Sequence, residues 1–162
     1  RFKKVKNVIV LDNDRNKIKL AKMLGVKYFF SSLNINTKNK ILKKFGTGAD
    51  ICYESAGKAL TMKYGMGLIS NKGRLHFASH PHEKEKLLIK PHDLILGKKI
   101  TGSWGGSVKP DKDFKKFSKI LKKINFKLNV INSKIYSLEN INKAIDDFKK
   151  KKVFRPIIKM QH

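Results

Sequence analysis

The run Val8-Ile9-Val10-Leu11 has no polar alternation, the pattern of a strand buried on both faces of a parallel sheet. Asp12 follows at its carboxyl end. From Asp14 to Leu24 the apolar positions recur at helical spacing, with Ile18, Ala21 and Leu24 or Leu20 on one side, lysines on the other, and Gly25 as the C-terminal cap. The alternation then repeats. Val26 to Ser31 reads as a short strand, and Asn36 or Thr37 opens a helix carrying Ile41, Leu42 and Phe45 that Gly46 stops. Asp50-Ile51-Cys52-Tyr53 reads as the next buried strand, ending in Glu54-Ser55-Ala56-Gly57. A helical pattern covers Lys58 to Ile69, although Gly65 and Gly67 weaken it by about 1 kcal/mol each relative to alanine. Asn71-Lys72-Gly73 predicts a turn and Arg74 to Ala78 a strand. After a loop rich in Pro and His, Asp93 to Gly102 supplies a short helix or turn and then a strand at Lys99-Ile100-Thr101-Gly102. Two more helical patterns follow, through Phe114, Phe117, Ile120 and Leu121, and through Leu138, Ile141, Ala144, Ile145 and Phe148 with Ser137 as N-cap. Strands alternating with helices predict a parallel α/β fold.

The length of 162 residues suits one domain with a core, and a first residue Arg1 in place of methionine predicts a fragment. A net charge of +26 raises the question of nucleic acid or an anionic membrane surface. The basic residues are lysines spread along the chain, however, and the arginines are Arg1, Arg15, Arg74 and Arg155. Specific phosphate and base readout leans on arginine's planar fork, so the charge reads as solvated helix faces, with nonspecific anion binding as the lesser possibility. One cysteine, Cys52, forms no intramolecular disulfide and no cysteine-rich zinc site, which is compatible with a reducing cytoplasm. No apolar run approaches the roughly 20 residues that span a bilayer, and Arg1 to Lys6 lacks a signal-peptide pattern.

In doubly wound sheets, ligands gather outside the carboxyl ends of the strands, and an acid ending the second strand accepts hydrogen bonds from an adenosine ribose. Asp12 has that position, but an Asp there can also simply cap the next helix, as Asn13 or Asp14 could. His80, His82, His92 and Asp93 are chemically suitable zinc ligands. Cys52 reads as a small core hydrophobe and His76 as a satisfied core or surface histidine. No Ser/His/Asp order, paired-carboxylate spacing or phosphate-cradling loop points to another reaction.

The order of V-I-V-L-D, L-A-K-M-L-G-V, G-A-D-I-C-Y-E-S-A-G, N-K-G-R-L-H-F-A-S, I-T-G-S-W-G-G and F-R-P-I-I, over Val8 to Met160, resembles the cofactor-binding half of the zinc-type medium-chain alcohol dehydrogenases. The resemblance implies an incomplete Rossmann-type doubly wound parallel sheet. Its first strand and glycine-rich G-x-G-x-x-G turn are missing, which leaves the two halves of the sheet without their shared central neighbour. Residues 1–103 would form the partial NAD-binding domain and 104–162 a helical and strand segment returning to a catalytic domain.

Position by position, Asp12 matches the family acid on the adenosine ribose, which implies NAD in preference to NADP, while Arg15 leaves room for a 2′-phosphate. Ser55, Ala56 and Gly57 match the turn along the adenine and ribose side, though small residues there also suit any tight strand-to-helix turn. Ala78 and Ser79 match the strand end against the nicotinamide, and Gly102, Ser103 and Trp104 the strand end that bonds its carboxamide. Gly105-Gly106 reads equally as a loop. Arg155 matches the arginine that reaches the pyrophosphate, against the alternative of a solvated arginine before Pro156. The family's zinc ligands match nothing in this chain, so zinc would be held elsewhere in the whole enzyme and no catalytic or metal residue is assigned here. The expected function is a share in hydride transfer between a small alcohol or carbonyl substrate and NAD, in a cytoplasmic homo-oligomer with no membrane or specific nucleic-acid partner. A stand-alone basic nucleotide- or anion-binding module without catalysis is the alternative.

Overall fold

Asp14 closes the N-terminus of the first helix, its side chain accepting from Asn16 N at 2.9 Å. The structure, a computed structural model, describes residues 4–126, 131 and 134–160. In chain order its elements are β1 (Ile9–Leu11), α1 (Arg15–Met23), β2 (Tyr28–Phe30), α2 (Ile35–Phe45), β3 (Ala49–Glu54), α3 (Ala59–Met66) and β4 (Ile69–Phe77). There follow α4 (Pro91–Ile95), β5 (Lys99–Gly102), α5 (Pro110–Lys123), β6 (Ile135–Ser137), α6 (Ile141–Lys149) and β7 (Ile157–Lys159). The α/β alternation expected from the sequence is present. Among the described residues no helix is long and apolar enough to cross a membrane.

The strands form three sheets, β1-β2, β3-β4-β5 and β6-β7. In the three-stranded sheet both pairings are parallel, with rows Cys52–Leu75–Ile100 and Tyr53–His76–Thr101 across the strands. Alternate rows point to opposite faces. The Cys52 row meets Met62 and Met66 of α3 and makes the core, in which Leu75 is fully buried. The other row does not. Ile51 and Tyr53 are 51% and 69% exposed, which corrects the expectation of a buried strand here: α3 covers one face only. The same correction applies to Val8 to Leu11, where Val8 is exposed and Ile9 to Leu11 are half-buried. Among the described residues β3 pairs with β4 alone.

Three boundaries differ from the sequence pattern. Asn34, not Asn36 or Thr37, caps α2, its side chain accepting from Thr37 N at 2.9 Å. The helix α3 stops at Met66, and Ile69 begins β4, which runs through Asn71-Lys72-Gly73 where a turn was expected. The register explains this: Ala49 faces Ile69 but Ile51 faces Arg74, so the extra residues are absorbed as an irregularity within one strand. Ser137 makes no side-chain cap to the helical turn Leu138–Asn140 that leads into α6; its hydroxyl accepts instead from Asn140 Nδ2 at 2.9 Å.

Two compact units divide the chain. One holds residues up to Val10, Asp14–Phe29 and those from Phe117 onward; the other holds Leu11–Asn13 and Phe30–Lys116. The first contains β6 beside β7 in parallel, with buried Tyr136 donating to Asp147 Oδ2 at 2.8 Å. That hydrogen bond, with Lys152 at 3.6 Å and Lys134 at 3.9 Å, holds the Asp147 carboxyl below its ordinary range. The second contains the three-stranded sheet.

Candidate functional site

Because β3, β4 and β5 are parallel, their carboxyl ends lie along one edge of the sheet, the edge where doubly wound folds bind ligands. Ser55, Ala56, Ala78, Gly102 and Trp104 are exposed there. Glu54, visible in the sequence only as an acid closing a strand, ties the ends of β3 and β4 together. Its buried carboxylate accepts from Ala56 N at 2.7 Å, Gly57 N at 3.0 Å, Thr61 Oγ1 at 2.7 Å and Ser79 Oγ at 2.5 Å. Ala78 N also donates to the Glu54 carbonyl at 2.8 Å. The Ser55–Gly57 turn is thereby tied to the Ala78–Ser79 strand end. Gly57 has φ +71°, and a Cβ on it would stand 3.2 Å from the His80 carbonyl oxygen, so glycine lets the turn lie close to the end of β4.

Burial pushes the Glu54 carboxyl up, but the bonds from Ser79, Thr61, Ala56 and Gly57 outweigh it and hold the group below its usual range. The ionised form is therefore favoured by folding. Its stabilisation is complete above the unfolded value, about 4.3 for Glu, and is lost as pH falls through the lower folded value. Glu54→Ala should destabilise the chain by about 3 kcal/mol at pH 7, through loss of a charged acceptor and exposure of its donors to an unfilled site. Urea denaturation of both proteins should show the difference shrinking below about pH 4; a difference that stays constant down to acid would contradict a charged Glu54.

The third strand end is fastened separately. Ser103 N donates to the Phe77 carbonyl at 3.1 Å, and the His76 ring spans Thr101 Oγ1 at 2.9 Å and Ser103 Oγ at 3.0 Å. Trp104, 83% exposed, stands edge-on to His80 with ring centroids 4.3 Å apart. Gly105, Gly106 and Ser107 have φ of +52°, +73° and +54°, a tight left-handed turn that suits a glycine pair. Asp12, half-buried, follows β1, and its backbone N donates to the Phe30 carbonyl at 3.2 Å. With Asp14 as the cap of α1, the capping role left open between Asp12, Asn13 and Asp14 belongs to Asp14.

Arg155 lies in the other unit. It is exposed beside an open groove of about 670 Å³ lined also by Lys17, Leu20, Phe148, Phe154 and Pro156, two cations over an apolar floor. The thiol of Cys52 sits against the core, its pKa raised by burial and by the Glu54 charge, in keeping with a small core side chain.

Zinc does not fit the described residues: no three of their His, Cys, Asp or Glu side chains group to hold a metal. Of the His/Asp set noted in the sequence, Asp93 is paired with Lys98 at 3.0 Å and His80 rests on Trp104. A dinucleotide does fit, with an acid beyond β1, a close turn after β3 and three exposed strand ends.

Fold and strand-end geometry together define a parallel α/β cofactor-binding domain of the Rossmann type. A family model described as zinc-binding dehydrogenase matches residues 3–123, and the chain belongs to that family. Among solved structures it is similar to a benzyl alcohol dehydrogenase from Acinetobacter calcoaceticus, with 25% identity and TM-score 0.87 over 97% of this chain and 43% of that one. It is similar also to a zinc-binding-domain alcohol dehydrogenase from Burkholderia ambifaria, at 23% identity and TM-score 0.87 over 97% and 42%. An alcohol dehydrogenase from Thermotoga maritima gives 21% and 0.80 over 97% and 44%. The chain thus spans less than half the length of these proteins. No curated protein sequence matches it.

Proposed function

We propose that this chain is the cofactor-binding and C-terminal portion of an NAD-dependent alcohol or polyol dehydrogenase. It shares in transferring a hydride between an alcohol and a nicotinamide cofactor. The observation that carries the reading is the Glu54-centred junction, which ties the Ser55–Gly57 turn to the end of β4 at the ligand edge of the sheet and leaves Ser55, Ala56 and Ala78 exposed there. When bound, the cofactor supplies a nicotinamide ring that accepts or returns the hydride. Asp12 accepts from the adenosine ribose, and Ser55, Ala56 and Gly57 flank the adenine side. Ala78 and Ser79 lie along the nicotinamide, and Gly102, Ser103 and Trp104 present backbone groups to its carboxamide. Arg155 pairs with the pyrophosphate. Residues 1–103 are the partial NAD-binding domain and 104–162 the return segment. The metal of the family is held outside this chain, in a cytoplasmic homo-oligomer.

A second reading, a basic nucleotide- or anion-binding module, is favoured by the net charge of +26. One pair of titrations separates the two. In the complete enzyme, Arg155→Lys replaces a planar fork by a point charge at the pyrophosphate and should weaken NAD binding about tenfold without changing the fold. Duplex DNA should bind this chain weakly, without sequence preference and with steep salt dependence, and Arg155→Lys should hardly alter that. DNA binding that survives roughly 0.2 M salt, together with unchanged NAD affinity, would overturn the dehydrogenase reading in favour of the module.

A further inference from the structure

We propose that His76 is a positioning residue that holds the Gly102–Ser103 strand end in the conformation needed by the nicotinamide carboxamide; this rests on the cofactor reading above. The ring bridges two hydroxyls on either side of Gly102, Thr101 Oγ1 at 2.9 Å from Nδ1 and Ser103 Oγ at 3.0 Å from Nε2. Thr101 is the register partner of His76, so the first bond runs straight across the sheet; Ser103 lies just past the end of β5. The ring is steadied on its other side by Tyr53, edge-on with centroids 5.5 Å apart and planes at 72°.

Gly102 is the position that needs such a clamp. A Cβ there would find its nearest neighbour at 3.8 Å, on Phe77, so crowding within this chain does not account for glycine. Its backbone is left open to an approaching ligand and free to move, since glycine restricts φ and ψ least. The Ser103 N to Phe77 carbonyl bond of 3.1 Å fixes the backbone on one side, and the imidazole fixes the side chains on both flanks of the glycine. Serine and threonine hydroxyls both donate and accept, so either imidazole tautomer satisfies both bonds. An aliphatic residue at 76 would preserve the strand and release both hydroxyls.

The test is made in the complete dehydrogenase with NAD and with ADP-ribose, which lacks the nicotinamide ring. His76→Val should weaken NAD binding about tenfold, because the released Gly102–Ser103 strand end has to be ordered again when the carboxamide binds. The thermal midpoint should fall by a few degrees, as the loss of two intramolecular hydrogen bonds requires, ADP-ribose affinity should be unchanged, and His76→Gln, which both donates and accepts, should recover part of the NAD affinity. Should His76→Val fail to fold, Thr101→Val combined with Ser103→Ala removes the same two bonds from the other side and carries the same comparison. Equal losses for NAD and ADP-ribose, or no loss for either, would overturn the positioning role while leaving the cofactor reading intact. A wild-type enzyme that binds neither would overturn the cofactor reading and the clamp with it.

Discussion

The 162-residue chain by itself should form no NADH from any of a panel of simple alcohols and polyols, with or without added zinc. Zinc in catalytic sites needs three protein ligands and an open position, and no three candidate side chains group among the described residues. Two titratable groups at the ligand edge of the sheet are engaged within the chain: Glu54 accepts from two backbone N–H groups and two hydroxyls, and His76 bridges two hydroxyls. Neither is placed to take a proton from a substrate without giving up the contacts that shape the edge. On the proposed reading the chain binds and orients the cofactor, a share that should produce no turnover without the reacting group it serves. NADH absorbance during incubation with the alcohols, followed at several zinc concentrations, measures this. Sustained turnover by the chain alone would overturn the assignment of the chemistry to residues outside it.

What the sequence disclosed about the fold follows from how far each signal reaches. Ala21 and Ile41 are buried as their helical spacing requires, because periodicity reports the face turned to a neighbour. An uninterrupted apolar run reports a strand but not how many of its faces are covered. Ile51, Tyr53 and Val8 therefore read as buried and are exposed. Asn71-Lys72-Gly73 has turn composition yet extends β4, because pairing with β3 overrides local preference. Within the site, the turn at Ser55–Gly57 and the strand ends at Ala78 and Gly102 were legible as small residues after apolar runs. Glu54 was not, since its four donors come from positions 56, 57, 61 and 79, and only the folded chain brings 79 to it. A single acid closing a buried strand, followed by small residues, was the one available clue. His76 was likewise visible only as a lone histidine in an alternating strand, with its hydroxyl partners 25 and 27 positions away.

Asp12→Gly in the complete enzyme should weaken NAD binding by about 10- to 100-fold and leave NADP binding much less affected. The size follows from one charged hydrogen-bond acceptor, about 1.5–3 kcal/mol, at about 1.4 kcal/mol per tenfold. The asymmetry follows from charge. A carboxylate that accepts from the ribose hydroxyls of NAD repels a 2′-phosphate, so its removal costs the first cofactor a bond and relieves the second of a repulsion. Arg15, exposed at the first residue of α1, adds a cation suited to the phosphate once the acid is gone. The competing account, in which Asp12 serves only to start α1, loses its main support because Asp14 is the residue that caps it. The backbone bond from Asp12 N to the Phe30 carbonyl survives substitution, so the strand end should hold its place and the change should register in binding more than in stability. Calorimetric titration of both cofactors into wild type and variant, with thermal midpoints measured alongside, reads each of these. Equal losses for NAD and NADP, or a fall in midpoint that accounts for both, would return Asp12 to a structural role and leave the choice of cofactor to other residues.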